Sequence, residues 1–453
     1  MKKKDSSDYI LAGRQVPTWL VTGGIVATLI NSATLLGYGG SGYSLGITAY
    51  FSSMGFVAIL IWIGYYFIPK LRRAGIVTVP ELFSRMFGWQ HKVTSVLLVM
   101  ARDMGVTAGA AIGMAVVLGS VFDISIDLAL IITVFVTLFF TVTGGMWAVM
   151  ITDAIQSVIL LVGTTILIPL AIAYVGGWDA LLNAIPETHS DMLFAGGSQI
   201  VGWVLLGALT TIAYQTLIQR GLSAESDKAA KNGFLYAGII TIIWYMVPFF
   251  IGVIALVIFP DITPDEAFLS LTRLFGTLGS LLFAVIIVSS CISTLSSTVL
   301  TTASNISYDI YKQWIHRHAS EKSVVLVSRI SVVVVAIVGA LIARSLPYIL
   351  ELLLTGGRIM ASSLSPVLLA IVFWKRARRA YYSTILAMIL GALTTITLVI
   401  IGEQLGTDDG AVVFVWAIDP VLVGIPVTVL TLVIGTFIET RGWKDTEKVA
   451  VTE

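Results

Sequence analysis

The sequence predicts an all-α integral membrane protein with about twelve transmembrane helices. Hydrophobic residues make up 57% of its 453 and charged residues 12%, against roughly 25% charged in soluble domains. Apolar runs of roughly 18 to 28 residues recur along the chain, each long enough to cross a ~30 Å hydrocarbon core as a helix. The ten-residue alternation of a membrane barrel is not seen, so helices must satisfy the backbone polar groups in lipid.

The expected spans fall near 18–37, 48–68, 93–119, 127–144, 152–175, 199–219, 234–259, 276–303, 326–344, 349–374, 381–402 and 418–437. A net charge of +1 conceals a strong asymmetry between alternate loops. Lys2, Lys3, Lys4, Arg14, Lys70, Arg72, Arg73, Arg85, Lys92, Arg220, Lys228, Lys231, Lys312, Arg317, Lys322, Lys375, Arg376, Arg378 and Arg379 lie on one set, which the positive-inside rule puts in the cytoplasm. The other set carries Asp123, Asp127, Asp179, Glu187, Asp191, Asp261, Asp265, Glu266, Glu403, Asp408 and Asp409 with almost no basic residues, and faces outward. A multi-pass protein of the plasma membrane with both termini inside is expected. The single Cys291 falls in a span, which excludes an intrachain disulfide. The charged first residues show no cleavable signal peptide, and neither end offers a soluble catalytic or nucleic-acid-binding domain.

Two spans depart from plain apolar helix. The first runs into Gly37-Tyr38-Gly39-Gly40-Ser41-Gly42, preceded by polar Thr28, Asn31, Ser32 and Thr34. Such a stretch can unwind, and transporters use carbonyls freed at membrane depth to bind ions and substrate. Glycines also simply let helices pack closely, and the residues alone leave both readings open. The other span holds Ser289, Ser290, Ser293, Thr294, Ser296, Ser297 and Thr298. Ser290, Ser293, Thr294 and Ser297 share a face at i, i+3, i+4 and i+7, a column of hard neutral oxygens suited to a dehydrated alkali cation. The bland reading is hydroxyls bonding back to carbonyls one turn earlier.

Ionisable groups at membrane depth are costly and few: Arg102 and Asp103 in the third span, Asp153 opening the fifth, Glu351 and Arg358 around the tenth. For Glu351 and Arg358, near a span end, a helix-tying ion pair is the expected role.

A series of short motifs runs through nearly the whole chain in order: Asp8-Tyr9-Ile10-Leu11-Ala12-Gly13-Arg14, Gly40-Ser41-Gly42, Thr78-Val79-Pro80-Glu81-Leu82, Gly144-Gly145-Met146-Trp147-Ala148-Val149, Thr152-Asp153-Ala154-Ile155-Gln156, Gln219-Arg220, Asp309-Ile310-Tyr311-Lys312 and Phe373-Trp374-Lys375-Arg376. With these the chain resembles the sodium:solute symporter family, the sodium-coupled sugar, proline, pantothenate and sialic acid carriers. The resemblance implies one transmembrane domain over 1–453 with the LeuT-type fold: a five-helix repeat over 17–175, an inverted repeat over 199–374, and two peripheral helices over 380–440. Many members carry a further helix before the Asp-Tyr-x-Leu-Ala-Gly-Arg segment, which here starts seven residues into the sequence.

Carried across, the family's common sodium site corresponds to the carbonyls of Ala27 and Ile30 with the hydroxyls of Ser290, Ser293 and Thr294. A further site, similar to that of sialic acid carriers, corresponds to Asp153, Ser293, Ser296 and Ser297. Arg102 falls close to an arginine that holds a substrate carboxylate, work suited to a planar two-pronged donor; Asn31, Thr34 and Tyr214 are the other candidate substrate contacts. The segment Thr210-Thr211-Ile212-Ala213-Tyr214-Gln215 lacks the Trp-Gly-Thr-Asn pattern of sugar carriers, and Leu29 stands where proline carriers have an aspartate. Asp103 has no role in the pattern.

The expected function is sodium-coupled symport of a small, carboxylate-bearing organic solute by alternating access, with Na⁺ as coupling ion, the lipid bilayer and a small-molecule substrate as partners, and no nucleic acid or other cofactor. A membrane enzyme is disfavoured, because the four histidines 91, 189, 316 and 318 fall in loops or span ends and supply no base at depth. A transporter-like sensor, or a sodium channel or uniporter, is the alternative; a sensor needs a signalling domain, and only a short polar stretch follows residue 440.

Overall fold

The computed structural model describes residues 11–345, 349–404, 407–408, 411–412 and 418–441, so the Asp8–Ile10 part of the entry motif lies outside the described residues. The regular structure of the described residues is helical apart from a two-residue antiparallel pairing, Thr407 with Val412 and Asp408 with Ala411, and a single parallel bridge between Val16 and Ala224. The first expected span is two helices, α1 (Thr18–Leu29) and α2 (Ser32–Leu45). Then come α3 (Phe51–Trp62), the short α4 (Val79–Phe87), α5 (Trp89–Phe122) and α6 (Ile126–Val175). After them stand α7 (Gly197–Ile212), α8 (Gln215–Ser223), α9 (Asp227–Trp244), α10 (Met246–Ile258) and α11 (Gly276–Ser304), which runs on as a π-helix over Asn305–Ile315. The chain ends on α12 (Glu321–Ser345), α13 (Ile349–Ser362), α14 (Leu364–Phe373), α15 (Tyr381–Gln404) and α16 (Val421–Glu439).

Among the described residues, eight helices are long and apolar enough to cross a membrane, and ten when the bent pairs α7–α8 (44°) and Leu354–Ser362 with α14 (40°) each count as one. Thr18–Leu29 and Ile126–Phe139 are apolar but shorter. The count of twelve is therefore not confirmed by length and composition; interruption leaves some pieces too short to qualify alone. The helical stretch α6 covers two expected spans, since 50 residues would rise about 75 Å, well beyond a ~30 Å core. Its arms run opposite ways: Asp127 pairs with Arg344 at the far end of α12, whereas Gly163 lies by Ile286 and Asp153 by Ser293 and Ser297 farther along α11.

Large apolar side chains cover the outside, among them Ile131, Phe135 and Phe139 on one stripe of α6 and Leu326, Ile330, Val334 and Leu341 on α12. In water such a surface would be untenable; in lipid it costs nothing.

The glycine run of the first span does not unwind. Gly37 to Gly42 sit inside α2, and their role is close packing: a Cβ on Gly42 would run into the backbone of Phe249, and one on Gly252 into the Gly39 carbonyl oxygen. Of the two readings the residues left open, close packing is the one realised at these glycines; the break lies earlier, at Ile30–Asn31. The last two helices grip the core at the bend after Ser362, where Thr395 Oγ1 donates to Ser362 Oγ at 2.6 Å and Thr428 Oγ1 bonds the Ser362 carbonyl.

Gly252→Ala should destabilise the protein by at least about 1–3 kcal/mol, the usual cost of overpacking, because rigid backbone faces it from α2. Thermal unfolding in detergent reads this, with the lipid-facing Val285→Ala as the comparison that should barely shift.

Candidate functional site

The break in the first span follows from the chemistry of Asn31 and Thr34. The Asn31 side chain accepts from Thr34 N–H at 3.0 Å, and Thr34 Oγ1 accepts from Asn31 N–H at 2.9 Å, a reciprocal cap that starts α2 afresh. Ile30, at φ −99° and ψ 90°, is left extended between the helices. Those two N–H groups are the ones a continuous helix would have aimed at the carbonyls of Ala27 and Ile30. The cap diverts both. The neighbouring carbonyls are satisfied: Thr28 O takes Asn31 Nδ2 at 3.0 Å, and Leu29 O takes Tyr245 OH at 2.9 Å. Ala27 and Ile30 are the two carbonyls of the expected sodium site.

On α11, Ser290, Ser293 and Thr294 are buried, and Thr294 Oγ1 has no hydrogen-bond partner among the described residues. An orphaned hydroxyl at such depth is a ready ligand for a hard cation. Ser293 is already engaged, donating to Asp153 Oδ1. Ser297 Oγ donates to Asp153 Oδ2 at 3.3 Å, while the buried Ser296 hydroxyl has no partner. Three members of the second expected site therefore meet directly, and Ser296 stays apart from their hydrogen bonds.

The structure adds a group that the sequence reading put in a cytoplasmic loop. Arg220, on α8, is fully buried; its Nη2 donates to Asp153 Oδ2 and, at 3.1 Å, to Ser297 Oγ. Gly24 makes room, since a Cβ there would lie 2.9 Å from Arg220 Nε. Lys92 and Asp309 are likewise buried rather than in loop solvent, Nζ to Oδ1 at 3.3 Å, with Thr78 Oγ1 donating to the same carboxylate at 3.1 Å. Charges near span ends look solvated in sequence; only helix packing shows that they are enclosed.

The second broken helix is α7–α8, interrupted at Ala213 and Tyr214 with no glycine or proline to announce it. This break brings the Tyr214 ring under Arg102, whose guanidinium carbon is 3.3 Å from the ring centroid. Arg102 is only 4% exposed, yet it lines a central cavity with Asn31, Thr34, Tyr214, Tyr38 and Tyr245. All four candidate substrate contacts thus share one cavity. Arg102 Nη1 lies 3.6 Å from Asp103 Oδ1, beyond hydrogen-bond length, and among the described residues both Asp103 oxygens lack hydrogen-bond partners. A stacked guanidinium with free in-plane N–H groups facing a cavity can take a carboxylate two-pronged.

Arg358 lies mid-way along the bent α13–α14 pair rather than near a span end, which corrects its placement. Its Nε is 3.5 Å from Asp419 Oδ2, both groups buried, and Asp419 also caps Val421 N–H at 3.0 Å. This pair ties α13 to α16. The Glu351 side chain lies outside the described residues.

Comparisons with known proteins show the family and the fold. The model of the sodium:solute symporter family matches residues 9–391. A sodium/glucose cotransporter of Vibrio parahaemolyticus is 27% identical over 83% of this chain and 76% of its own length. A sodium/proline symporter of Haemophilus influenzae is 28% identical over 86% of this chain and 82% of its own. The solved structure of a Na⁺-coupled sialic acid symporter in a substrate-bound outward-open state superposes with a TM-score of 0.78 at 19% identity, over 99% of this chain and 94% of that one, which establishes the LeuT-type fold.

Asp153→Asn should lower stability by about 3–5 kcal/mol, because it leaves the Arg220 guanidinium buried and unpaired. The double variant Asp153→Asn with Arg220→Met should recover most of that loss in a detergent melting experiment; a loss equal to the sum of the two single-variant losses would mean that the two residues are not energetically coupled.

Proposed function

The chain belongs to the sodium:solute symporter family, a membership that makes sodium-coupled symport of a small organic solute its activity, and we propose that the solute bears a carboxylate held by Arg102 while sodium binds between α1 and α11. The observation that carries the sodium reading is the diverted cap: Ala27 and Ile30 lose their helical N–H partners on α1, and Thr294 on α11 offers an unpartnered buried hydroxyl. Five neutral oxygens, with Ser290 and Ser293, suit one dehydrated sodium ion. The solute reading rests on one cavity gathering Arg102, Asn31, Thr34 and Tyr214.

In the second proposed site, Asp153 with Ser293, Ser296 and Ser297, sodium competes with Arg220 for the carboxylate. Arg220 then acts as a tethered cation that keeps Asp153 balanced when no ion is bound. Two ions crossing ~100 mV release about 4.6 kcal/mol, and a tenfold inward gradient adds about 2.8 kcal/mol. The repeats proposed over 17–175 and 199–374 each open with a broken helix, at Ile30–Asn31 and at Ala213–Tyr214, the arrangement expected of two inverted halves around a midplane site. The basic ends of the helices support cytoplasmic termini in a plasma membrane. Among the described residues, the cavity lining contains no histidine, cysteine or lysine that could serve as a base or nucleophile, which favours carriage over chemistry. A solute-dependent sodium current that saturates separates a carrier from a channel, whose current flows without solute.

In proteoliposomes, Thr294→Ala should raise the sodium concentration for half-maximal uptake several-fold, the loss of one ligand being worth about 1 kcal/mol; uptake driven equally well by potassium or protons without sodium would sink the assignment. Arg102→Lys keeps the charge but loses the fork, so solute affinity should drop roughly tenfold or more while sodium binding alone persists. Unaltered solute affinity in that variant would mean that the cavity is read by other residues.

A further inference from the structure

The polar side chains around the central cavity differ in whether their hydrogen-bonding groups are already in use. Thr28 Oγ1 donates to the Gly24 carbonyl at 2.8 Å, and Asn31 Nδ2 to the Thr28 carbonyl at 3.0 Å. Thr34 Oγ1 donates to the Asn31 carbonyl at 2.7 Å, Thr210 Oγ1 to the Gly357 carbonyl at 3.1 Å and Tyr245 OH to the Leu29 carbonyl at 2.9 Å. Each of these lining residues thus has a donor committed to the chain's own backbone. Arg102 differs: its Nε and Nη1 are buried without a hydrogen-bond partner among the described residues.

Charge and room narrow the occupant further. Among the described residues, Arg102 is the one charged side chain on the lining. Asp103, 3.6 Å from the guanidinium, is fully buried and off the lining, so it balances Arg102 without offering the solute a carboxylate. Much of the remaining wall is hydrocarbon, from Leu29, Phe56, Val106, Leu206 and Leu354. Val106 follows Arg102 by four residues and so stands one helical turn from it on the same face of α5. The free space, about 30 Å³ for the centres of water molecules, takes two or three waters at roughly 10–15 Å³ each. An ammonium there would meet the guanidinium with no lining carboxylate to offset it. Each hydroxyl of a polyol would give up water at a wall that is either carbon or already hydrogen-bonded.

We propose that the solute is a short monocarboxylate with a hydrocarbon remainder, about the size of propionate and lacking an amino group, its carboxylate on Arg102 and its carbon chain against Val106. This inference rests on the reading that Arg102 holds a carboxylate, and names what lies behind that carboxylate.

The test is calorimetric titration of the purified full chain in detergent at saturating sodium. Propionate should bind. Alanine, which keeps the skeleton and adds an ammonium, should bind at least about tenfold more weakly, the scale of one uncompensated buried polar group. Lactate, which adds a hydroxyl, should also bind more weakly than propionate, and octanoate should lose affinity because the space is short. Val106→Ala should move the preference between pentanoate and propionate several-fold towards the longer acid, and Val106→Leu should move it towards acetate. Alanine or lactate binding as tightly as propionate, or octanoate binding more tightly, would overturn this inference while leaving a carboxylate on Arg102. Propionamide binding as tightly as propionate, or no binding by any of these carboxylates, would instead sink the underlying reading of Arg102, and this inference with it.

Discussion

The hydrogen-bond exchange between Asn31 and Thr34 is the constraint on which the centre of this protein rests. A helix in lipid must satisfy every backbone group internally, so a break at mid-membrane depth requires something to replace the missing bonds. Here two short polar side chains cap a new helix and replace their own share, Asn31 Nδ2 and Tyr245 OH take up two more carbonyls, and the remainder falls on Ala27 and Ile30. A cation can supply what the chain withholds. The proposed ion site is thus a consequence of where the cap sits, not of a ligand set added to a finished fold.

The same logic governs the charges. Arg220 with Asp153, Lys92 with Asp309 and Arg358 with Asp419 are all buried, and each pair joins helices distant in sequence. An ion removed from water needs a partner of opposite charge and hydrogen bonds for its remaining atoms. Arg220 and Asp153 come closest to that condition, with Ser293 and Ser297 completing the carboxylate. Arg102 and Asp103 meet it least, being 3.6 Å apart with unpartnered atoms on both sides. A tightly satisfied pair holds the scaffold; an under-satisfied one beside a cavity retains binding capacity. On the proposed reading, that contrast marks Arg102 as the group left open to a solute.

How much was legible in the sequence depends on the range of the interaction. The all-helical membrane class follows from composition and run length, and the hydroxyl face of α11 from i, i+3, i+4, i+7 spacing, both local properties. The glycine run left unwinding and close packing open, because glycine permits both, and only the neighbouring Phe249 and Gly252 backbones decide between them. Asn31 and Thr34 carry the signal for the break, an Asx residue three before a threonine, whose side chains cap each other's N–H groups. The break at Tyr214 had no local marker at all.

The sequence by itself therefore determined the solvent this protein lives in, the family it resembles and the residue types from which ion and solute sites could be built, since these follow from hydropathy, ordered motifs and side-chain chemistry. The tertiary structure alone decided which of those residues are partners. Arg220 reads as a solvated loop cation until α8 is packed beneath α1 at Gly24, and Asp153 reads as a bare carboxylate until Arg220 reaches it. Ion pairing and orphaned hydroxyls depend on distances between helices far apart in the chain, and no local pattern encodes those distances.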